Sequence, residues 1–322
     1  MIEIKLNNRD GKEWDISELV TSLSLKTAHI GKAGTLTLTF IKKALYQSSR
    51  FKYENGDVIR VRKDGVNLFY GYIFSISGGR DEIVSLTAYD QIRYLMNTDT
   101  YVFKNTTAAD IVKRIANDFN LKLGKIADTK YQIPAMVEDG QKLLDIIDKA
   151  ITLTFSNTGK DYCLYDDFGQ LCLRDVDEQV TDIIVGEGSL MYDYSVSSSI
   201  DDDTYNKIKL YKDNKETGKR EVYIAEDSIN IMRWGLLQHY ESIDEKMNPA
   251  QIEELLNNLA KLKNREQKSL KIEALGDIRV RAGMRVRIHI PEYQVDQNLL
   301  VNECSHSFEG ADHTMSLELK VI

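Results

Sequence analysis

The chain has 322 residues, 42% hydrophobic and 29% charged, the composition of a globular protein with room for two or three domains. Its formal net charge of −8 argues against a broad nucleic-acid-binding face, because phosphate contact needs clustered Lys and Arg. Three cysteines with no Cys-x-x-Cys exclude a disulfide scaffold and the usual zinc site, and no apolar run reaches the roughly 20 residues of a membrane helix. The opening "MIEIKLNNRDGKEW" has Asp10 and Glu13 where a signal peptide would have its apolar core, so the expectation is synthesis in a cytoplasm without a secretory route.

Along the chain, short alternating segments come first. Leu23 and Leu25 alternate with serines, Leu36, Leu38 and Phe40 with threonines, and Ile59 and Val61 with Arg60 and Arg62. These are period-two strands with one apolar face, punctuated by turns at Gly31, Gly34, "ENGD" and "SGGRDE". They predict a small antiparallel barrel over residues 1–94. The pattern then becomes helical. "NTTAADIVKRIANDFNL" spaces Ile111, Val112, Ile115, Ala116 and Phe119 on one face, with Thr107 as N-cap and Asp110 in the first turn. "EDGQKLLDIIDKAITLT" places Leu143, Leu144, Ile147 and Ile151 together, with Asp139 as its expected cap. A hairpin, "YCLYDDFGQLCLRDV", completes an α+β middle region over residues 95–188.

Residues 189–322 return to strands and predict a second barrel. "NKIKLYKDNKETGKREVYIA" reads as two strands joined by a polar turn. An inserted amphipathic helix follows at about 248–266: Asn248 as N-cap, Pro249 at the first helical position, Gln251 completing a capping box, and Ile252, Leu255, Leu256, Leu259 and Leu262 as its stripe. The stripe is a core-facing surface in this reading, not a cofactor site.

Two stretches echo one another. "GDVIRVRKDGVNLFYGYIFSISGGRDEIVSL" begins at Gly56, and "GMRVRIHIPEYQVDQNLLVNECSHSFEGADHTMSL" begins at Gly283. Gly56, Ile59, Val61, Gly79 and Leu86 in the first correspond to Gly283, Val286, Ile288, Gly310 and Leu317 in the second. Identities are few, and Ile76 falls against Ser307 unless a bulge near Ser307 shifts the register. The shared order of a Gly-led apolar–Arg strand, a long strand, a Gly turn and a closing Ser-Leu strand favours duplication over chance. The fold class expected is therefore mainly β: two related small antiparallel β-barrels separated by an α+β domain. Three chains would then present six barrels, a way to match a threefold partner to a sixfold one.

The residues offer no catalytic, cofactor or metal site. Asp201-Asp202-Asp203 lacks further ligands and a turn glycine, and reads as a solvated loop. Cys163 and Cys172 are expected to face each other across the "DDFG" hairpin as small apolar residues. His306 and His313 are expected opposite each other around Gly310 with Cys304 nearby, exposed rather than metal-binding. No Gly-x-Ser-x-Gly, P-loop or dinucleotide fingerprint occurs.

The ordered set "GDVIRV", "FYGYIFSI", "VSLTAYDQIRYLMNTDTYVF", "TTAADIVKRIANDFNL" and "EDGQKLLDIIDKAI" resembles the hub proteins of contractile phage tails, of the XkdQ/YqbQ-like type found in defective prophages and phage-tail-like bacteriocins. The wider group holds the late control protein D family and the N-terminal part of type VI secretion spike proteins. The likeness spans essentially the whole chain, and Leu86 to Leu121 carries its most specific part. It implies a non-enzymatic structural protein, a homotrimer assembled in the host bacterial cytoplasm as part of a virion or virion-like baseplate. It implies as partners the tail tube protein, the central spike protein, the tape-measure protein and other baseplate proteins, with no specific nucleic-acid binding and no cofactor. A baseplate-associated peptidoglycan-degrading enzyme is the alternative expectation.

Overall fold

A computed structural model describes residues 1–43, 47–80, 82–201, 203–214, 218–245 and 247–321; Asp81 and Asp202 of the turn and acidic run discussed above, and residues 215–217 of the polar turn, lie outside these. The first part contains β1 (Ile2–Asn7), β2 (Glu13–Asp15), β3 (Val20–Ala28), β4 (Thr35–Ile41), β5 (Val58–Lys63), β6 (Val66–Gly78) and β7 (Ile83–Tyr89). The period-two residues point inward as alternation requires: Leu23, Leu25, Leu36, Leu38, Phe40, Ile59 and Val61 are all buried.

A 3-10 turn at Gln91–Met96 leads into β8 (Thr98–Thr106), α1 (Ala108–Asp118), β9 (Leu123–Ile126), β10 (Ile133–Lys142), α2 (Leu143–Thr158), β11 (Tyr162–Asp166), β12 (Leu171–Asp175) and β13 (Val180–Gly186). Thr107 caps α1 by accepting from Asp110 N. Asp139 does not cap α2. The β8–β10 ladder continues to Lys142, which pairs with Thr98, so Asp139 stays in the strand and accepts from Thr100 Oγ1 at 2.8 Å. Lys142 is the N-cap without a side-chain bond, and Leu143 N donates to Asn97 O.

The last part holds β14 (Met191–Ser199), β15 (Lys207–Asn214), β16 (Lys219–Glu226), α3 (Ser228–Trp234), β17 (Gln238–Ser242), α4 (Pro249–Lys263), β18 (Gln267–Leu275), β19 (Arg285–Ile290), β20 (Val295–Glu309) and β21 (Asp312–Val321). Helix α4 starts with the full Asn248/Gln251 capping box and buries Ile252, Leu256 and Leu259 against Ile208 and Leu210 of the small β16-β15-β17 sheet. Strands β15–β17 and helices α3 and α4 form an insertion between β14 and β18.

The protein is mainly β with an α+β middle, and among the described residues no strand pairing closes either part into a barrel of its own. Both parts share one 13-stranded sheet, in the order β14-β18-β21-β20-β3-β4-β7-β6-β5-β1-β2, with β13 and β19 attached beside β20. The ladder is open among the described residues. The reason is that β20 is long enough to serve two neighbours: Val295 to Leu300 pair with β19, and Glu303 to Glu309 pair with β3.

One strand order occurs twice in this sheet. The path β3-β4-β7-β6-β5 has the same order as β14-β18-β21-β20-β19. Leu86 lies between Leu38 and Ile76, and Leu317 lies between Ile272 and Cys304. Ile59 opposes Gly71 where Val286 opposes Leu299. Val61 and Ile288, two residues further along, are buried. Gly56 and Gly283 precede these strands with φ of +92° and +80°. Irregularities recur as well: between Ile73 and Ser75 on β6 and between Val301 and Glu303 on β20, and between Val20 and Ser22 on β3 and between Met191 and Asp193 on β14. The irregularity of the long strand thus falls at Asn302, not at the expected Ser307, which pairs regularly with Thr314. By register, Ile76 stands in the place of Cys304.

Candidate assembly interface

The seam between the two five-strand sets is the β3–β20 ladder, which runs antiparallel from Ala28 opposite Glu303 to Ser22 opposite Glu309. Beyond the ladder, Phe308 enters the core of the first set with Leu23, Leu25 and Phe69 and is 4% exposed. The β20–β21 hairpin is the longer of the two equivalent hairpins: Gly310, φ +60°, turns it tightly between Glu309 and Asp312, whereas the β6–β7 ladder stops at Gly78 opposite Val84, ahead of Gly79.

A polar chain crosses the same seam. Lys63 Nζ lies 2.9 Å from His313 Nδ1, His313 Nε2 lies 3.0 Å from His306 Nδ1, and His306 Nε2 lies 2.8 Å from Val280 O. Lysine only donates and a carbonyl only accepts, so the chain assigns one direction: Lys63 donates to His313, His313 to His306, and His306 to Val280 O. Both imidazoles are neutral in this arrangement. The two histidines sit diagonally, since His306 opposes Met315 and His313 opposes Phe308. His306 is buried rather than exposed as expected, because Phe308 and the loop carrying Val280 cover the hairpin. Cys304 Sγ is 3.3 Å from His306 Nε2. Among the described residues, no group of three or more His, Cys, Asp and Glu is placed to hold a metal ion.

This chain makes the seam acid-sensitive. Burial first, and then the neighbouring His306 and Lys63, push His313 down to about 4; burial also lowers His306, while Asp277 opposes both shifts. A depressed folded pKa means that the stabilisation is present above the unfolded value near 6.5 and is lost as pH falls toward the folded value. Melting temperatures of the wild type and His313→Gln, measured from pH 7 to pH 4, are expected to converge as the pH falls. Parallel curves would show that His313 takes up no extra proton on unfolding.

The middle region meets both sets at the same place. Arg281 lies 3.4 Å above the Tyr165 ring, and Ala282 N donates to Thr27 Oγ1. Cys163 packs with Val176 and Leu300 beneath Gly283, and its thiol is pushed up to about 12 by burial. Cys172 is two residues out of register with it: Cys163 opposes Arg174, and Tyr165 opposes Cys172. The hairpin turns on Phe168 and Gly169, both with positive φ, one residue later than the Asp167–Phe168 centre that would set Cys163 opposite Cys172. All three cysteines are free thiols. Of the acidic run, Asp203 accepts from Lys263 Nζ at 2.6 Å.

A model of the YQBQ-like family matches residues 23–320, from within β3 to within β21, and so takes in both five-strand sets. The chain belongs to the YQBQ-like family. Two relatives from Bacillus subtilis (strain 168) align over nearly its whole length. The uncharacterized protein YqbQ is 34% identical over 318 residues, covering 96% of this chain and 94% of the relative. The phage-like element PBSX protein XkdQ is 32% identical over 313 residues, with the same coverages. The fold is shared with solved tail proteins at low identity. The 43 kDa tail protein of prophage MuSo2 from Shewanella oneidensis gives a TM-score of 0.72 at 14% identity, covering 98% of both chains. The tail protein from Neisseria meningitidis MC58 gives 0.71 at 14% identity, covering 99% of this chain and 96% of that one. The E. coli c3393 protein, a type VI secretion component, gives 0.53 at 10% identity, covering 93% of this chain and 73% of that one. The family thus has the tail-protein fold, and its matched span includes Gly56, Gly79, Gly283 and Gly310.

The seam itself was not foreseen from the sequence. A longer second hairpin, with Phe308 alternating with His306 at its tip, was the available signal.

Proposed function

We propose that the chain is a structural component of a phage-like tail: the baseplate hub, which adapts a threefold central spike to a sixfold tail tube and nucleates tube assembly. The observation that carries this reading is the strand order found twice in one sheet, with matching register and matching irregularities. In this reading the two sets are duplicated modules, residues 1–94 and 189–322 around a middle domain; Gly56, Ile59, Val61 and Leu86 are equivalent to Gly283, Val286, Ile288 and Leu317, and Gly79 and Gly310 belong to corresponding hairpins of different length. Three chains then offer six modules, and each module joins the next head to tail, a heterologous contact that closes into a ring when the rotation allows. The relatives support the setting, since one is named for a phage-like element and the solved neighbours are tail proteins.

The expected partners are the tube protein, the central spike, the tape-measure protein and other baseplate proteins, with assembly in the bacterial cytoplasm and a final place in the particle. A net charge of −8 suits a lumen through which polyanions slide without adhering. The reading assigns no catalysis. Mixing the purified protein and its spike with monomeric tube protein, and counting tubes by electron microscopy, tests it. Tubes should appear several-fold faster and carry the hub at one end. Equal tube numbers with and without it would overturn the assignment.

A further inference from the structure

The join between the two modules inside one chain predicts the join between chains, register included. The in-chain join uses the outer edge of β3 and the far half of β20. The equivalent edges are those of β14 and the far half of β6. Register fixes the correspondence. Leu23 opposes Leu38 as Tyr194 opposes Ile272, and Leu25 opposes Leu36 as Val196 opposes Leu270, so Val20–Ala28 superpose residue by residue on Met191–Ser199. On the other strand, Thr87 and Leu86 oppose Ser75 and Ile76 as Glu318 and Leu317 oppose Glu303 and Cys304.

Both equivalent edges lack a neighbour among the described residues. Strand β14 pairs only with β18. Strand β6 pairs with β5 only up to Tyr72, and beyond that only with β7. Ser75, Ser77 and Gly78 are exposed. Val196 is 42% exposed although Leu25, its equivalent, is 7% exposed. An exposed, unbulged row of backbone donors and acceptors is a template for another strand.

We propose that β14 of one chain pairs antiparallel with Ser75–Gly78 of β6 in a second copy of this chain, with Ser199 opposite Ser75, Ser198 opposite Ile76, Ser197 opposite Ser77 and Val196 opposite Gly78. This rests on the hub reading only for the number of copies. The register transfers from the in-chain pairs Ala28–Glu303, Thr27–Cys304, Lys26–Ser305 and Leu25–His306. The contact between chains is the weaker of the two. Among the described residues the short β6–β7 hairpin provides no equivalent of Phe308, and the four proposed rungs hold serines, a glycine, Ile76 and Val196. The two copies therefore associate at high protein concentration, or when the spike and tube hold them together.

Engineered disulfides read this register directly. Directly opposed strand residues lie within disulfide reach, and a slip of one residue moves a side chain to the other face. Two double variants, Ser77→Cys/Ser197→Cys and Ile76→Cys/Ser198→Cys, cover adjacent rungs, because only alternate rungs bring side chains close. Ser77→Cys/Ser198→Cys is the slipped control, and the native thiols are all buried. With diamide as oxidant and protein concentration raised to about millimolar, at least one in-register variant should give two- and three-chain adducts at least ten-fold above the control. No adducts, or equal adducts in the control, overturn the proposed edge. If light scattering then still shows trimers, or tubes still nucleate, the hub reading stands without it. In-register adducts that grow beyond three chains keep the edge and overturn threefold closure.

Discussion

Replacing Gly283 by Ala is expected to cost more than about 3 kcal/mol of folding stability, against about 1 kcal/mol for the same change at Gly56. Both glycines precede an apolar–Arg strand and both have left-handed backbone, φ +80° and +92°. That shared conformation disfavours any Cβ by a similar amount. Their surroundings differ. A Cβ on Gly56 meets open space, whereas one on Gly283 would overlap Cys163 Sγ and lie 2.9 Å from Cys163 Cβ. Cys163 is 2% exposed and wedged against Val176 and Leu300, so it has nowhere to swing. Gly283 N also donates to Val301 O at the start of the crossover on β20, and displacement there would spread to the seam. Denaturant midpoints of the two variants measure the difference. In a Cys163→Gly background, measured against Cys163→Gly alone, Gly283→Ala should cost only the backbone part. Equal costs at Gly56 and Gly283 would show that the middle region does not press on the second module as described.

This contrast shows what the sequence could and could not disclose. The Gly–apolar–Arg alternation was readable because a strand's inward residues repeat every two positions, and Ile59, Val61, Val286 and Ile288 are all buried. The caps of α1 and α4 were readable because Thr107 and Asn248 bond within three residues of themselves. The join of β3 to β20 was not readable. It pairs residues such as Leu23 and Phe308, far apart in the chain, and strand edges carry no signature of their partner. Register was hidden where the length of a hairpin decided it. The turn at Phe168–Gly169 sets Cys163 and Cys172 two positions out of step, and the longer β20–β21 hairpin replaces the apparent match of Ile76 to Ser307 by one to Cys304. Asp139 was a sound local cap that lost to a longer ladder.

Asp90 lies in "AYDQIRYL", within the Leu86–Leu121 stretch, and replacing this residue should separate its hydrogen bonds from its charge. Asp90 directly follows β7 and caps the 3-10 turn that leads to the middle region. Its side chain accepts from Gly34 N at 2.9 Å and from Ile92 N at 3.0 Å while only 6% exposed. Burial, then the nearby Asp166, raises its carboxyl well above the usual range; the two backbone donors only partly offset this. Asp90→Ala leaves two buried N–H groups unpaired and a small void, and is expected to cost about 2–4 kcal/mol. Asp90→Asn keeps an acceptor without a charge. A raised folded pKa means that wild-type stability is fully present below the unfolded value near 3.8 and is lost as pH rises through the folded value. The Asn variant has no such loss, so its stability relative to wild type should improve from pH 4 to pH 8. Asp166, pushed up to about 6 mainly by burial, titrates in the same window, so the comparison is repeated in an Asp166→Asn background. If Asn proves as damaging as Ala at every pH, the negative charge itself holds the turn, and the carboxylate must be ionised in the folded protein.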